Sequence, residues 1–181
     1  MKRRSLVWVI AGSLLLSAAG ASAQDKTFEV LGIGGAGGLF CPAASPVDPD
    51  FMLICSDMSG SYRSTDGGRT WHMIHWKELN SSLTVRPAFS KDAVYWVSGN
   101  TLRVSRDRAV TWRDVVEGAV PWGNAAIVRI VTDPDDGGLV FVVTATGIWR
   151  TADGGRTWEK TLAGKGWDVV LLGNKAFASV D

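Results

Sequence analysis

The chain has 181 residues, 46% of them hydrophobic, and 19 Lys and Arg against 18 Asp and Glu give a formal net charge of +1 at neutral pH. No basic stripe stands out, which excludes nucleic acid or an anionic membrane surface as the partner. Two cysteines and two histidines leave little material for a metal centre.

The chain opens with Lys2, Arg3 and Arg4, then an apolar run from Leu6 to Ala19 and the small residues Ala21-Ser22-Ala23. This is the pattern of a secretory signal peptide over residues 1–23, with cleavage before Gln24, and the run of about 14 residues is shorter than the roughly 20 that span a bilayer as a helix. Export to the periplasm or the exterior is therefore expected, with no membrane association once the signal is removed. The mature residues 24–181 keep 16 basic and 18 acidic side chains, a net charge of about −2, and suffice for one ordinary core.

Next comes Gly32-Ile33-Gly34-Gly35-Ala36-Gly37, which fits the dinucleotide fingerprint by letter. That fingerprint needs a helix after it, whereas Leu39-Phe40-Cys41-Pro42 follows, so no nucleotide and no other cofactor is expected. Cys41 and Cys55 flank a turn signal, Ser45-Pro46-Val47-Asp48-Pro49-Asp50, each seven residues from Asp48. A hairpin centred there sets the two cysteines face to face, either as a disulfide or as two free buried thiols.

The main signal is a repeat. Ser64-Thr65-Asp66-Gly67-Gly68-Arg69-Thr70-Trp71 recurs as Thr151-Ala152-Asp153-Gly154-Gly155-Arg156-Thr157-Trp158, with a worn copy, Ser105-Arg106-Asp107-Arg108-Ala109-Val110-Thr111-Trp112, between them. The tryptophans are 41 and 46 residues apart, the length of one four-stranded propeller blade. In each copy the Asp carboxylate can accept backbone NH groups of the turn after it, and Gly68 and Gly155 can take positive φ without steric cost. Ala109 stands where the others have Gly, so the middle turn is expected to be looser or differently shaped.

Strands fall around these turns at 38–43, 51–56, 60–64 and 70–75, then 84–89, 93–98, 101–105 and 111–116, then 126–132, 139–144, 147–151 and 157–162. Two more, 168–172 and 175–180, begin a fourth unit. The fold expected is all-β: a β-propeller of four-stranded antiparallel blades at about 34–76, 84–116 and 126–162, with an incomplete one at 166–181. About three and a half blades leave two apolar faces open. The sequence is therefore expected to be part of a longer chain, with self-association through the open faces as the alternative.

The three motifs resemble the BNR or Asp-box repeats of sialidases, sortilin-type receptors, photosystem assembly factors and several glycoside hydrolases. The first blade, with Gly34 to Gly38 and the segment from Ser56 through Asp57, Gly60, Tyr62 and Arg63 to Gly68, resembles xyloglucanases and oligoxyloglucan reducing-end cellobiohydrolases. That resemblance implies that Asp57 is a catalytic carboxylate and that the family's second one sits in another propeller, so hydrolysis by this chain alone is not expected. The alternative reading of Asp57 is a cap on the strand-end turn containing Gly60. The positions matching Asp57 in the other units are Ser98 and Thr144, so the blade itself demands no acid there. Asp57 lies between the second and third strands and the motifs between the third and fourth, which places them at opposite ends of the blade.

The arginine cluster and F/Y-R-I-P segment of sialidases are missing ahead of the first motif, and Arg86-Pro87 follows it, so sialidase activity is not expected. His72 and His75 are given surface or packing roles and no metal. Tyr62, Trp96, Trp122, Trp149 and Trp167 either fill gaps between blades or stack on pyranose rings. A polysaccharide or oligosaccharide is the partner of the first functional reading, a glycan-directed protein; a protein partner belongs to the second, a non-catalytic binding or assembly propeller.

Overall fold

The structure, a computed structural model, describes residues 37–181; the expected signal peptide and the glycine-rich stretch up to residue 36 lie outside the described residues. Among the described residues fourteen strands form four sheets, and within each sheet strands consecutive in the chain pair antiparallel. The first sheet is β1 (Leu39–Ala44), β2 (Met52–Ser56), β3 (Gly60–Ser64) and β4 (His72–Met73). The second is β5 (Ala88–Phe89), β6 (Val94–Ser98), β7 (Thr101–Ser105) and β8 (Arg113–Asp114). The third is β9 (Ile127–Thr132), β10 (Val140–Thr144), β11 (Gly147–Thr151) and β12 (Glu159–Ala163), and β13 (Gly166–Leu172) pairs with β14 (Lys175–Val180) as a hairpin. This is the all-β, blade-by-blade architecture of an incomplete propeller.

Several strands are shorter than expected, for identifiable reasons. The outer strands β4 and β8 cannot start at residues 70 and 111, because the Thr70 and Thr111 amides are already donated to Asp66 and Asp107. β5 starts only after Pro87, which has no amide to give to a ladder.

The blades are held by strands that bury both faces. Along β6, Val94 and Trp96 join Phe51, Leu53 and Cys55 in the core between the first two sheets. The alternate residues Tyr95 and Val97 join Val140 and Val142 in the core between the second and third. β10 repeats the arrangement, with Phe141 and Val143 turned toward Ile148 and Val169 in a third cluster. Aromatic edges lock two of these seams: Phe51 meets Phe89 at 5.3 Å and Trp122 meets Trp158 at 5.2 Å, both near perpendicular. Trp96 is fully buried, its indole NH donating to the Val85 carbonyl at 2.7 Å, and Trp122 is buried with it, so both belong to the inter-blade packing. Tyr62 and Trp149 are half-buried, and Trp167 stays about half exposed.

The end sheets are one-sided. In β2 Leu53 and Cys55 are buried while Met52 and Ile54 are only half-buried, and in the last hairpin Val170, Leu172 and Phe177 are exposed.

The hairpin β1–β2 corrects the expected cysteine register. Ala43 opposes Leu53, centring the hairpin on residue 48 as expected, but farther along Phe40 opposes Cys55. Cys41 and Pro42 together face Ile54, a bulge of one extra residue at a proline that cannot donate to the ladder. Cys41 is thereby displaced from the position opposite Cys55, and both cysteines are free thiols in the structure.

Adjacent residues of β2 test which face is core. Leu53→Ala is expected to cost about 2–5 kcal/mol and Ile54→Ala about 1 kcal/mol or less by chemical denaturation; equal losses would mean that the outer face of the first blade is covered in solution.

Candidate functional site

The three repeat turns share one hydrogen-bond design. In the first, the Ser64 hydroxyl donates to Asp66 Oδ1 at 2.8 Å and accepts the Gly68 amide at 2.8 Å. Asp66 in turn accepts the Thr70 amide at 2.9 Å and the Thr70 hydroxyl at 2.6 Å. The third turn repeats every contact with Thr151, Asp153, Gly155 and Thr157, and Trp158 closes over it by donating its indole NH to the Gly155 carbonyl at 3.0 Å. Trp71 is half-buried and Trp112 buried beside their own turns.

The middle turn is not looser, contrary to the expectation from Ala109. Ser105, Asp107 and Thr111 make the same bonds, and the Ala109 amide donates to the Ser105 hydroxyl at 2.9 Å. Arg108 and Ala109 instead adopt φ of 58° and 64°, beside 71° and 86° at Gly67 and Gly68. The carboxylate and hydroxyl network thus imposes a left-handed pair on non-glycine residues, at a cost of about 1–2 kcal/mol each. The Arg108 guanidinium recovers part of this by pairing with Asp48 at 2.8 Å and lying over the Phe51 ring, which ties the second blade to the first.

All three Asp carboxyls are held below the usual carboxylate range. For Asp66 the Thr70 hydroxyl is the main cause, then the Thr70 amide, giving about 2. For Asp107 burial pushes upward, and the bonds from Thr111, Ser105 and Val110 together outweigh it, giving about 2. Asp153 is lowered chiefly by Thr157. These acids are occupied in holding turns and offer no free carboxylate.

Because strands alternate direction, the β2–β3 and β4–β5 connections lie at the other end of the blades, and there the candidate residues gather. Asp57, exposed in the β2–β3 turn, accepts the Gly38 amide on Oδ1 at 3.0 Å, and its own amide donates to the Gly38 carbonyl at 3.3 Å. A Cβ at Gly37, where φ is +88°, would stand 2.5 Å from that same oxygen, so glycine is required for the backbone to fold over the carboxylate. Gly37, the last residue of the fingerprint-like stretch, and Gly38 therefore form a cradle for an acid side chain. Gly60 closes the turn with φ of 115°, and the Tyr62 hydroxyl donates to Ser59 at 2.8 Å within it.

The β4–β5 connection adds a residue that sequence reasoning passed over. Trp76 is 71% exposed, nearly parallel to the His75 ring at 5.9 Å, with Lys77 Nζ 5.6 Å from its centroid. Its loop is pinned. The Glu78 and Leu79 amides donate to the His75 carbonyl, Leu79 is buried, and Glu78 Oε2 accepts the Trp112 amide at 2.8 Å. Arg103, ion-paired with Asp114, donates to the Glu78 and Trp112 carbonyls. An indole left in water on a loop fastened by this many polar contacts is a preorganised stacking surface. The available signal was its place just after the first motif, in a loop whose neighbours are polar.

His72 and His75 are both exposed, and the His75 Nδ1 accepts the Lys77 amide at 3.2 Å. Among the described residues no group of three His, Cys, Asp or Glu is gathered around a point where a metal ion would sit, and no helix is long and apolar enough to cross a membrane.

No protein-family model matches the chain. It is 28% identical over 153 residues to a xyloglucanase from a Paenibacillus species, covering 70% of this chain and 15% of that protein. It is 27% identical over 177 residues to xyloglucanase Xgh74A from Acetivibrio thermocellus, covering 83% and 21%. The chain therefore spans about a fifth or less of the length of these relatives. Among solved structures it is similar to an ancestral GH74 enzyme, with a TM-score of 0.59, 18% identity, and coverage of 78% of this chain and 21% of that one. YCF48 from Cyanidioschyzon merolae gives 0.56 and 19%, covering 72% and 38%, and YCF48 bound to D1 peptide gives 0.56 and 15%, covering 74% and 43%. These likenesses show the propeller fold.

Two predictions come from the turns. Gly155→Ala is expected to lower stability by more than about 2 kcal/mol, because its Cβ would clash with Val115 Cγ1 at φ +96°. Ala109→Gly is expected to stay within about 1 kcal/mol of the parent, since relief of φ strain offsets the lost methyl; denaturant titration of both variants checks this. The second concerns pH. A carboxyl whose folded pKa is depressed contributes stability above its unfolded value near 4, lost as pH falls through the folded value near 2. The unfolding midpoint is therefore expected to drop between about pH 4 and pH 2, and Asp66→Asn to be less stable at pH 7 and to flatten that drop.

Proposed function

We propose that the chain belongs to an exported, glycan-directed β-propeller built from Asp-box repeats and related to xyloglucanases, with its sugar-facing surface at the Asp57 and Trp76 end. The observation that carries this reading is the exposed indole of Trp76 on a pinned loop, at the same end of the first blade as the cradled Asp57. A flat apolar ring face beside polar groups suits the alternating CH and OH faces of a pyranose chain. The likeness to xyloglucanases over most of the chain points to the same class of polysaccharide.

In this reading Asp57 is one of two carboxylates that a glycosidase needs, and Glu78, the acid in the adjoining connection, is committed to the Trp112 amide. Trp76 stacks on the glycan and Asp57 supplies one carboxylate beside it; cleavage waits on a second carboxylate placed about 5–10 Å from the first across the scissile bond.

A second reading is a non-catalytic propeller that docks a protein or assembles through its open apolar faces. The likeness to YCF48, including the form bound to a peptide, favours it, and so does the engagement of Asp57 with the backbone of Gly38, which suits a structural acid.

Calorimetric titration of the secreted protein with xyloglucan oligosaccharides separates the two. Binding that Trp76→Ala weakens by about tenfold, equivalent to about 1.4 kcal/mol, and that Asp57→Asn leaves within about threefold, is expected. No binding, or binding indifferent to Trp76→Ala, transfers the case to the protein-docking reading.

A further inference from the structure

Among the described residues three non-glycine positions have left-handed φ: Arg108, Ala109 and Cys41 at 51°. The first two are imposed by the repeat turn. Cys41 has no such cause in the repeat; it is the inserted residue of the β1 bulge ahead of Pro42. Such strain persists only where the surrounding structure over-determines it, and here the Pro42 bulge does so. Here it aims the Cys41 thiol at the Leu83 carbonyl, to which it donates at 3.0 Å. The Cys55 thiol, from the neighbouring strand, donates to the Phe40 carbonyl at 3.3 Å and reaches the Ser82 carbonyl at 3.6 Å. The two sulfurs thus converge on consecutive carbonyls of one passing segment, and Cys41 is the chain neighbour of Phe40, the residue opposite Cys55.

The pair is also graded in access. Cys55 is 1% exposed and Cys41 is half-buried, so a reagent meets Cys41 first. Burial pushes both thiols up, Cys55 to about 11, which leaves little thiolate at neutral pH and makes exchange slow there.

We propose that Cys41 and Cys55 are a dithiol–disulfide pair, closed by exchange with a small-molecule or protein disulfide, and that the bond fixes the β1 bulge against β2. The Cys41 thiolate attacks the reagent disulfide, forming a mixed disulfide and releasing one thiolate. Cys55 then loses its proton and attacks the Cys41 sulfur, expelling the second thiolate. The two cysteines give up two protons and two electrons in all, and the reagent leaves as two thiols.

The bond bears on the site above. The bulge sets the register that pairs Leu39 with Ser56 and Phe40 with Cys55, and this register brings the Gly38 amide onto Asp57. A disulfide one residue from that pairing holds the cradle in place whether the occupant of the end face is a glycan or a protein.

The test is exchange of the whole protein, purified reduced, with glutathione disulfide at about pH 8, where exposed thiols are reactive, followed by denaturation, maleimide labelling and intact mass. The expected result is joint disappearance of both thiols with a mass lower by two hydrogens and no dimer. Cys55→Ser is expected to stop at one glutathione adduct, and Cys41→Ser to leave Cys55 unreacted. Wild-type protein that keeps both thiols, halts at an adduct, or links into dimers overturns the proposal; because the wild-type result decides, a variant that fails to fold does not blunt the test.

Discussion

A strand that is apolar on both faces is stable only between two other layers, and this condition governs the whole molecule. β6 and β10 send alternate residues into two different cores, so that the second and third blades are each sandwiched, and neither would survive excision. The outer faces of the first blade and of the β13–β14 hairpin carry the remaining demand, with Met52, Ile54, Val170, Leu172 and Phe177 only partly covered. Stability in such an array is a matter of neighbours.

The repeat turns serve this stacking. Each ties the third strand of a blade to the fourth through one carboxylate and one hydroxyl, with the donors supplied locally, so the turn needs little from its surroundings. The middle copy shows the strength of the arrangement, because Asp107 and Ser105 impose the same backbone on Arg108 and Ala109 that glycines adopt freely elsewhere. The strained arginine is then used as a tie between blades through Asp48.

The two ends of the blades differ in consequence. One end is spent on turns whose acids are fully engaged. The other carries connections unconstrained by the repeat, and it is there that an acid cradled by Gly38 and an exposed tryptophan on a fastened loop occur. Loops freed from the architectural motif can acquire function without disturbing the stack. The bulge at Cys41 and Pro42 belongs to the same region and sets the position of the cradle.

The sequence by itself determined the fold class, the number and order of the sheets and the identity of the turn residues, because a blade-length repeat, period-two apolar runs and the Asp–Thr spacing are local signals. It also pointed to Asp57, as an acid where the other units have Ser98 and Thr144. Tertiary structure decided what depends on contacts between strands far apart or on a register one residue off. Pro42 opens a bulge and displaces Cys41 from its facing position. Trp96 and Trp122 are consumed by seams between blades while Trp76 is left in water, a distinction that composition does not carry, since a tryptophan's burial is set by the sheet that comes to lie against it. Ala109 holds a glycine's conformation because the carboxylate and hydroxyl around it are already fixed, whereas intrinsic preference alone favours a looser turn.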